Sequence, residues 1–156
     1  TLRKYYEDFK FKHPVPNDIK RTAEKVSGME LDWYLTDWTQ TTNTIDYSIG
    51  NVYGDGGKTT VSMERKGLMP MPLVILVVYN DGSRELFYTP LRMMRGEKEN
   101  PYPDLNRTVL QDWPWAYPSY EFTINRPISE LRAIMVDPSQ LMADVDPENN
   151  IWQTLD

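Results

Sequence analysis

The hydrophobic positions of this chain change period once. Up to about residue 40 they recur at helical spacing: Leu2, Tyr5, Tyr6 and Phe9, then Ile19, Thr22, Ala23 and Val26, then Leu31, Tyr34, Leu35 and Trp38. Each set is one stripe of a 3.6-residue period and predicts a short amphipathic helix. His13-Pro14-Val15-Pro16 separates the first two helices, because a residue preceding proline avoids the α region. Asn17 or a neighbour is placed to cap the second helix. Ser27-Gly28 ends it, since glycine suits the left-handed position just past a helix. Three such helices alone leave their stripes partly exposed, so they need something to pack on.

From about residue 44 the period is two. Ile45, Tyr47 and Ile49 alternate with Asp46 and Ser48; Thr59, Val61 and Met63 alternate after Gly54-Asp55-Gly56-Gly57, which predicts a hairpin. Leu73 to Tyr79 reads as a buried strand, and Asn80-Asp81-Gly82-Ser83 turns it back into Arg84 to Tyr88. Residues 95 to 112 are polar and interrupted by proline, and read as a loop. Tyr120, Phe122 and Ile124 alternate again, and Leu131 to Val136 is a last strand, stopped by Asp137-Pro138. About six or seven strands with turns between them predict an antiparallel sandwich. The expected class is α+β: a helical segment over residues 1–42, then an antiparallel, immunoglobulin-like β-sandwich over residues 43–156.

Composition narrows the function. The 156 residues include five Trp and ten Tyr, a heavy aromatic share for a small core, and twelve Pro, which suits short strands and turns. The net charge of −6 disfavours nucleic acid, whose phosphates require Lys or Arg. No apolar run approaches the ~20 residues of a membrane span. With no cysteine and one histidine, the chain cannot supply the three or so ligands of a catalytic zinc.

Four constellations could carry chemistry. Trp113, Trp115, Tyr117 and Tyr120 could form an aromatic platform for a sugar or a peptide, or seal the sandwich against the helices. Asp144, Asp146, Glu148 and Asn149 crudely resemble a calcium loop, but Asn149 stands where the glycine is needed and Pro147 interrupts the run; a polar closing turn is the simpler reading. Glu24, Glu30, Asp32 and Asp37 could pair as acid and base, yet all lie off the apolar stripes and read as a solvated face. His13, between Lys12 and Pro14, reads as a turn-ordering loop residue.

Phe11-Lys-His-Pro-Val-Pro-Asn-Asp18, then Ser27-Gly28 to Leu31-Asp32-Trp33, then Trp38, then Thr41-Thr42 to Asp46, follow one another in an order that resembles the alanyl aminopeptidases, gluzincin metallopeptidases of bacterial type. Gly67 to Met71-Pro72, Asp81-Gly82, Asp137-Pro138, Asp144 and Asn149-Asn150 extend the likeness over nearly the whole chain. The resemblance implies that residues 1–42 are the end of a thermolysin-like catalytic domain and that the sandwich buttresses it. It implies a zinc-dependent parent that cleaves N-terminal residues from peptides, with the zinc ligands, the general-base Glu and the oxyanion Tyr all upstream of the matched region. No catalytic, zinc or cofactor residue is therefore carried over to this chain, whose expected partners are the upstream catalytic domain and, through it, a peptide substrate. An exported location, periplasmic or cell-surface, follows from the resemblance alone. Self-association through the unpartnered stripes is a further expectation. The rival reading is an immunoglobulin-like binding module that captures carbohydrate or protein on the Trp113 to Tyr120 patch; a third is oligomerisation through edge strands.

Overall fold

Three helices come first: α1 (Leu2–Phe9), α2 (Pro16–Ser27) and α3 (Asp32–Gln40). Pro16 opens α2 at a position where its missing N–H costs nothing. The cap is Val15 rather than Asn17: with no side-chain acceptor there, the Asp18 carboxylate reaches back to accept the Val15 N–H at 2.9 Å. Gly28 closes the helix at φ 70°, its N–H donating to the Glu24 carbonyl at 2.8 Å. The apolar stripes find only partial cover. Neither α1 nor α3 has a buried residue, and in α2 only Thr22 is buried.

Eight strands follow: β1 (Tyr47–Asp55), β2 (Lys58–Arg65), β3 (Leu73–Tyr79), β4 (Arg84–Thr89), β5 (Arg107–Val109), β6 (Ser119–Ile124), β7 (Leu131–Val136) and β8 (Ile151–Gln153). They form a three-stranded sheet in the order β1-β2-β6 and a five-stranded sheet in the order β5-β4-β3-β7-β8. Asp55 pairs with Lys58, so the first hairpin closes over Gly56 and Gly57, both at positive φ as a tight primed turn requires. The sheets meet through their inner faces, where Phe87 and Phe122 lie 5.2 Å apart, which is the layered arrangement of a β-sandwich. The computed structural model describes residues 1–154, and the last two positions of the expected 43–156 domain lie outside the described residues.

The expected loop over residues 95–112 holds two surprises. It contains β5, and β5 pairs with β4 in parallel, so the second sheet is mixed rather than antiparallel. A parallel pair needs a long crossover, and residues 90–106 supply it. Three residues are too few to display an alternation, which is why β5 and β8 leave no sequence signature. The loop also pads the outer face of β3 and β4: Tyr102 and Leu105 pack on the buried cluster Val74, Leu76, Leu86 and Tyr88. Hydrogen bonds shape this padding, from Tyr102 N–H to Asn100 Oδ1 at 2.9 Å and from Asn100 Nδ2 to the Leu105 carbonyl at 3.1 Å.

The chain separates into two units: Thr1–Thr42 together with Arg92–Glu99, and Asn43–Leu91 together with the chain from Asn100 onward. Arg92–Glu99 joins the helices through the Met94 carbonyl, which accepts the Glu30 N–H at 2.8 Å. No helix among the described residues is long and apolar enough to cross a membrane.

Gly67 sits where the approach to β1 and the exit from β2 touch. A Cβ there would stand 2.2 Å from the Thr44 carbonyl oxygen and 2.6 Å from the Asp46 nitrogen, both backbone atoms that cannot swing aside. The Gly67 N–H also donates to the Asp46 carbonyl at 3.0 Å. Gly67→Ala is expected to lower stability by about 1–3 kcal/mol through this overpacking, read as a reduced urea midpoint.

Candidate functional site

The four rings of the aromatic segment do not share a surface. Trp113 is 4% exposed, stacked on Tyr120 at 5.3 Å and met edge-on by Tyr47 at 5.4 Å. Its indole N–H donates to the Tyr117 carbonyl at 2.8 Å, which satisfies the one polar atom it buries. Tyr120 is half-buried, and its hydroxyl donates to the Gln111 carbonyl at 2.8 Å. Trp115 and Tyr117 stand out at 62% exposure each. The expected platform therefore reduces to two rings. Alternation explains the split: Tyr120 pairs with Met63 of β2 and Trp113 lies against it, while the Pro114 to Tyr117 turn carries the other two rings outward.

Arg65 organises the exposed side. Its guanidinium donates to the carbonyls of Gly67 (3.1 Å), Leu68 (3.0 Å) and Trp115 (2.5 Å). This ties the loop bearing the exposed Leu68 to the loop bearing Trp115. Leu68 has no partner in any periodic pattern, so sequence reasoning had no signal for it.

Tyr47 is the pivot beneath. Its hydroxyl accepts the Met71 N–H at 2.8 Å. Burial pushes the phenol up from its ordinary 10.0 to about 12, with the Met71 N–H partly opposing the shift. Tyr79 moves in the same direction, through burial first and then its hydrogen bond to Glu85.

Three of the four acidic candidates accept from nearby donors, Asp37 from the Thr41 hydroxyl at 3.3 Å. The carboxylates of Glu24, Glu30 and Asp32 do converge, with His13 and Asp37 outside the group. Glu24 Oε1, however, accepts the Leu31 N–H at 3.0 Å, and Asp32 Oδ1 takes the Lys20 ammonium at 2.5 Å. An all-carboxylate set, two of its three residues exposed and with an ammonium already seated, does not fit a catalytic zinc, which calls for imidazole. His13 is exposed between α1 and α2. In the last turn, Asp144 accepts the N–H groups of Tyr47 (3.0 Å) and Asp146 (2.9 Å), and Asn149 Nδ2 bridges Asp46 (3.1 Å) and Asp146 (2.8 Å). Glu148 is exposed. These residues stitch the closing turn to the start of β1. No family model, curated protein or solved structure matches the chain.

The aromatic split has a direct consequence. Trp113→Ala should cost about 3–5 kcal/mol as a large core truncation, whereas Trp115→Ala should stay within about 0.5 kcal/mol; chemical unfolding of the two variants compares them. The tyrosines set the alkaline limit. A phenol raised in the folded state favours folding fully below the unfolded value near 10, and that contribution fades as pH rises through about 12. Unfolding stability should therefore decline above pH 10, and less steeply in Tyr47→Phe, where Tyr79 and Tyr120, both also raised by burial, still contribute.

Proposed function

We propose that this chain is a non-catalytic C-terminal portion of a zinc-dependent aminopeptidase. In this reading residues 1–42 complete a thermolysin-like catalytic domain, and the sandwich, immunoglobulin-like in kind, buttresses it. The observation that carries it is the helical region: three amphipathic helices in which Thr22 is the only buried residue. Leu2, Tyr6, Val26 and Trp38 are all exposed. Stripes of this kind gain stability only when another surface removes them from water, at about 1.5–3 kcal/mol for each large apolar side chain. The ordered resemblance from Phe11 to Asn150 supplies the identity of that surface, a metallopeptidase domain whose zinc, general base and oxyanion group come from upstream residues. This portion would contribute walls and rigidity to an enzyme that removes N-terminal residues from peptides, with an exported location.

A second reading keeps some support. Trp115 and Tyr117 remain exposed beside Leu68, enough for a small binding face of an independent module that captures carbohydrate or protein. Quenching of Trp115 fluorescence by a saccharide or peptide would favour that module.

The purified chain should release nothing from an aminoacyl reporter, with or without zinc. It should self-associate and bind a hydrophobic dye through its helices, and Trp38→Glu should weaken both. Zinc-dependent hydrolysis, or a strict monomer blind to the dye, overturns the scaffold reading.

A further inference from the structure

Every residue from Lys10 to Asn17, the connection from α1 into the first turn of α2, is exposed. Within it Phe11 is 99% exposed, so its ring lies almost wholly in water. Its backbone stands at φ 64°, a left-handed conformation that bulky side chains rarely adopt. The fold holds it there. The Lys12 N–H donates to the Phe9 carbonyl at 2.9 Å, and the Lys12 ammonium donates to the Asp8 carbonyl at 2.6 Å. Asp18 holds the Val15 N–H at 2.9 Å, and Pro14 and Pro16 fix two further φ angles. A loop that only joined two helices would carry glycine or asparagine at such a position. Here the chain accepts strain and displays an aromatic ring that gains nothing from folding.

The charge around this loop is opposite to that of the chain. Residues 1–28 carry seven Lys or Arg against four Asp or Glu, whereas residues 29–156 carry ten against nineteen. Burial sharpens the difference. Five of those seven cations are exposed (Arg3, Lys10, Lys12, Arg21 and Lys25), and of the four acids only Glu7 is. Asp8 takes the Lys4 ammonium at 2.6 Å, Asp18 the Val15 N–H, and Glu24 the Leu31 N–H at 3.0 Å. From Phe9 to Asn17 there is no Asp or Glu at all. Phe11 is thus flanked on both sides by lysine in an acid-free stretch.

We infer that the Lys10 to Val15 loop is a peripheral contact for an anionic lipid surface. Phe11 enters the boundary between headgroups and acyl chains, and Lys10 and Lys12 stay with the phosphates. Reversible attachment takes two signals, an apolar one and a basic one, and the loop carries both. Lysine suits the role, since its long stem lies along apolar surface while the ammonium stays wet. An acidic protein surface is the weaker match: the loop has no arginine to pair bidentately with carboxylates, and a ring without neighbours offers no pocket edge for a partner to complement. The net charge of −6 does not forbid the contact. Exposed charges more than ~10 Å apart are largely screened at 0.1 M salt, so the local charge of the loop governs close approach. The stripes at Leu2, Tyr6, Val26 and Trp38, on which the aminopeptidase proposal rests, take no part in this contact.

The test is cosedimentation of the intact chain with vesicles of phosphatidylcholine alone, and of phosphatidylcholine mixed equally with phosphatidylglycerol. Because the chain has no cysteine, His13→Cys can carry a single environment-sensitive fluorophore two residues from Phe11. Binding to the anionic vesicles with a blue shift of the fluorophore is expected at about 20 mM salt, and release at about 0.5 M. Neutral vesicles should bind about twentyfold more weakly, at roughly fivefold for each of the two lysines. Lys10→Glu combined with Lys12→Glu should abolish the binding. Phe11→Gly should weaken it about tenfold through the lost apolar area, yet leave the urea midpoint unchanged or higher, since glycine tolerates the left-handed backbone. That opposition separates a displayed ring from a structural one. Equal binding to neutral vesicles, binding without a blue shift, or no binding overturns the inference. So does a Phe11→Gly variant that binds undiminished or unfolds at lower urea. Tighter capture by soluble poly-glutamate than by the anionic vesicles also overturns it, in favour of an acidic protein partner.

Discussion

β3 is a strand that must be dry on both faces. Leu73, Ile75 and Val77 lie on the side of Phe87, and Val74 and Leu76 lie on the side of Leu86 and Tyr88. Hydrogen bonding to β4 on one side and β7 on the other places it at the centre of its sheet. A strand with one apolar face can rest on a partner sheet and leave its other face wet, but seven consecutive apolar or aromatic residues cannot. Two covers are therefore needed. The three-stranded sheet is one, through Phe122 against Phe87. The segment around Tyr102 and Leu105 is the other. The parallel β5 is a consequence of the second cover: a chain that crosses the outer face of β4 returns alongside it in the same direction, and the Arg107 guanidinium then lies 4.5 Å above the Tyr88 ring.

The same economy governs the polar side chains of the sandwich. Arg65 holds three loop carbonyls, Asp144 holds the first residue of β1, Asp137 holds its own turn, and Tyr47 holds Met71. Each replaces a contact with water that the backbone loses when loops fold over a core. Groups that could have been read as chemistry are therefore largely engaged as structure. Exceptions among the described residues include the exposed rings of Trp115 and Tyr117.

The helical unit obeys the opposite rule. Its apolar residues are spaced to bury a stripe, and polar groups fix its ends and junctions: Asp18 at the start of α2, Gly28 at its end, and Glu24 and Lys20 linking α2 to the start of α3. The contrast between a sandwich with a saturated core and helices with almost none is the physical basis of the partner proposed for the helices.

Period and punctuation alone determined the helices and the longer strands. A stripe at 3.6 residues, an alternation at two, Gly56-Gly57 and Gly28 each constrain local geometry that is decided within a few residues. What only the tertiary structure decided was contact between distant residues. Trp113 and Trp115 are two positions apart and chemically identical in sequence, but one is drawn into the core by Tyr47 and Tyr120 while the other is turned out by the Pro114 turn. β5 and the padding by Tyr102 and Leu105 depend on chain crossings for which a local pattern carries no record. Periodicity reports which face of an element seeks cover; the element that provides the cover is chosen by the free energy of the whole fold.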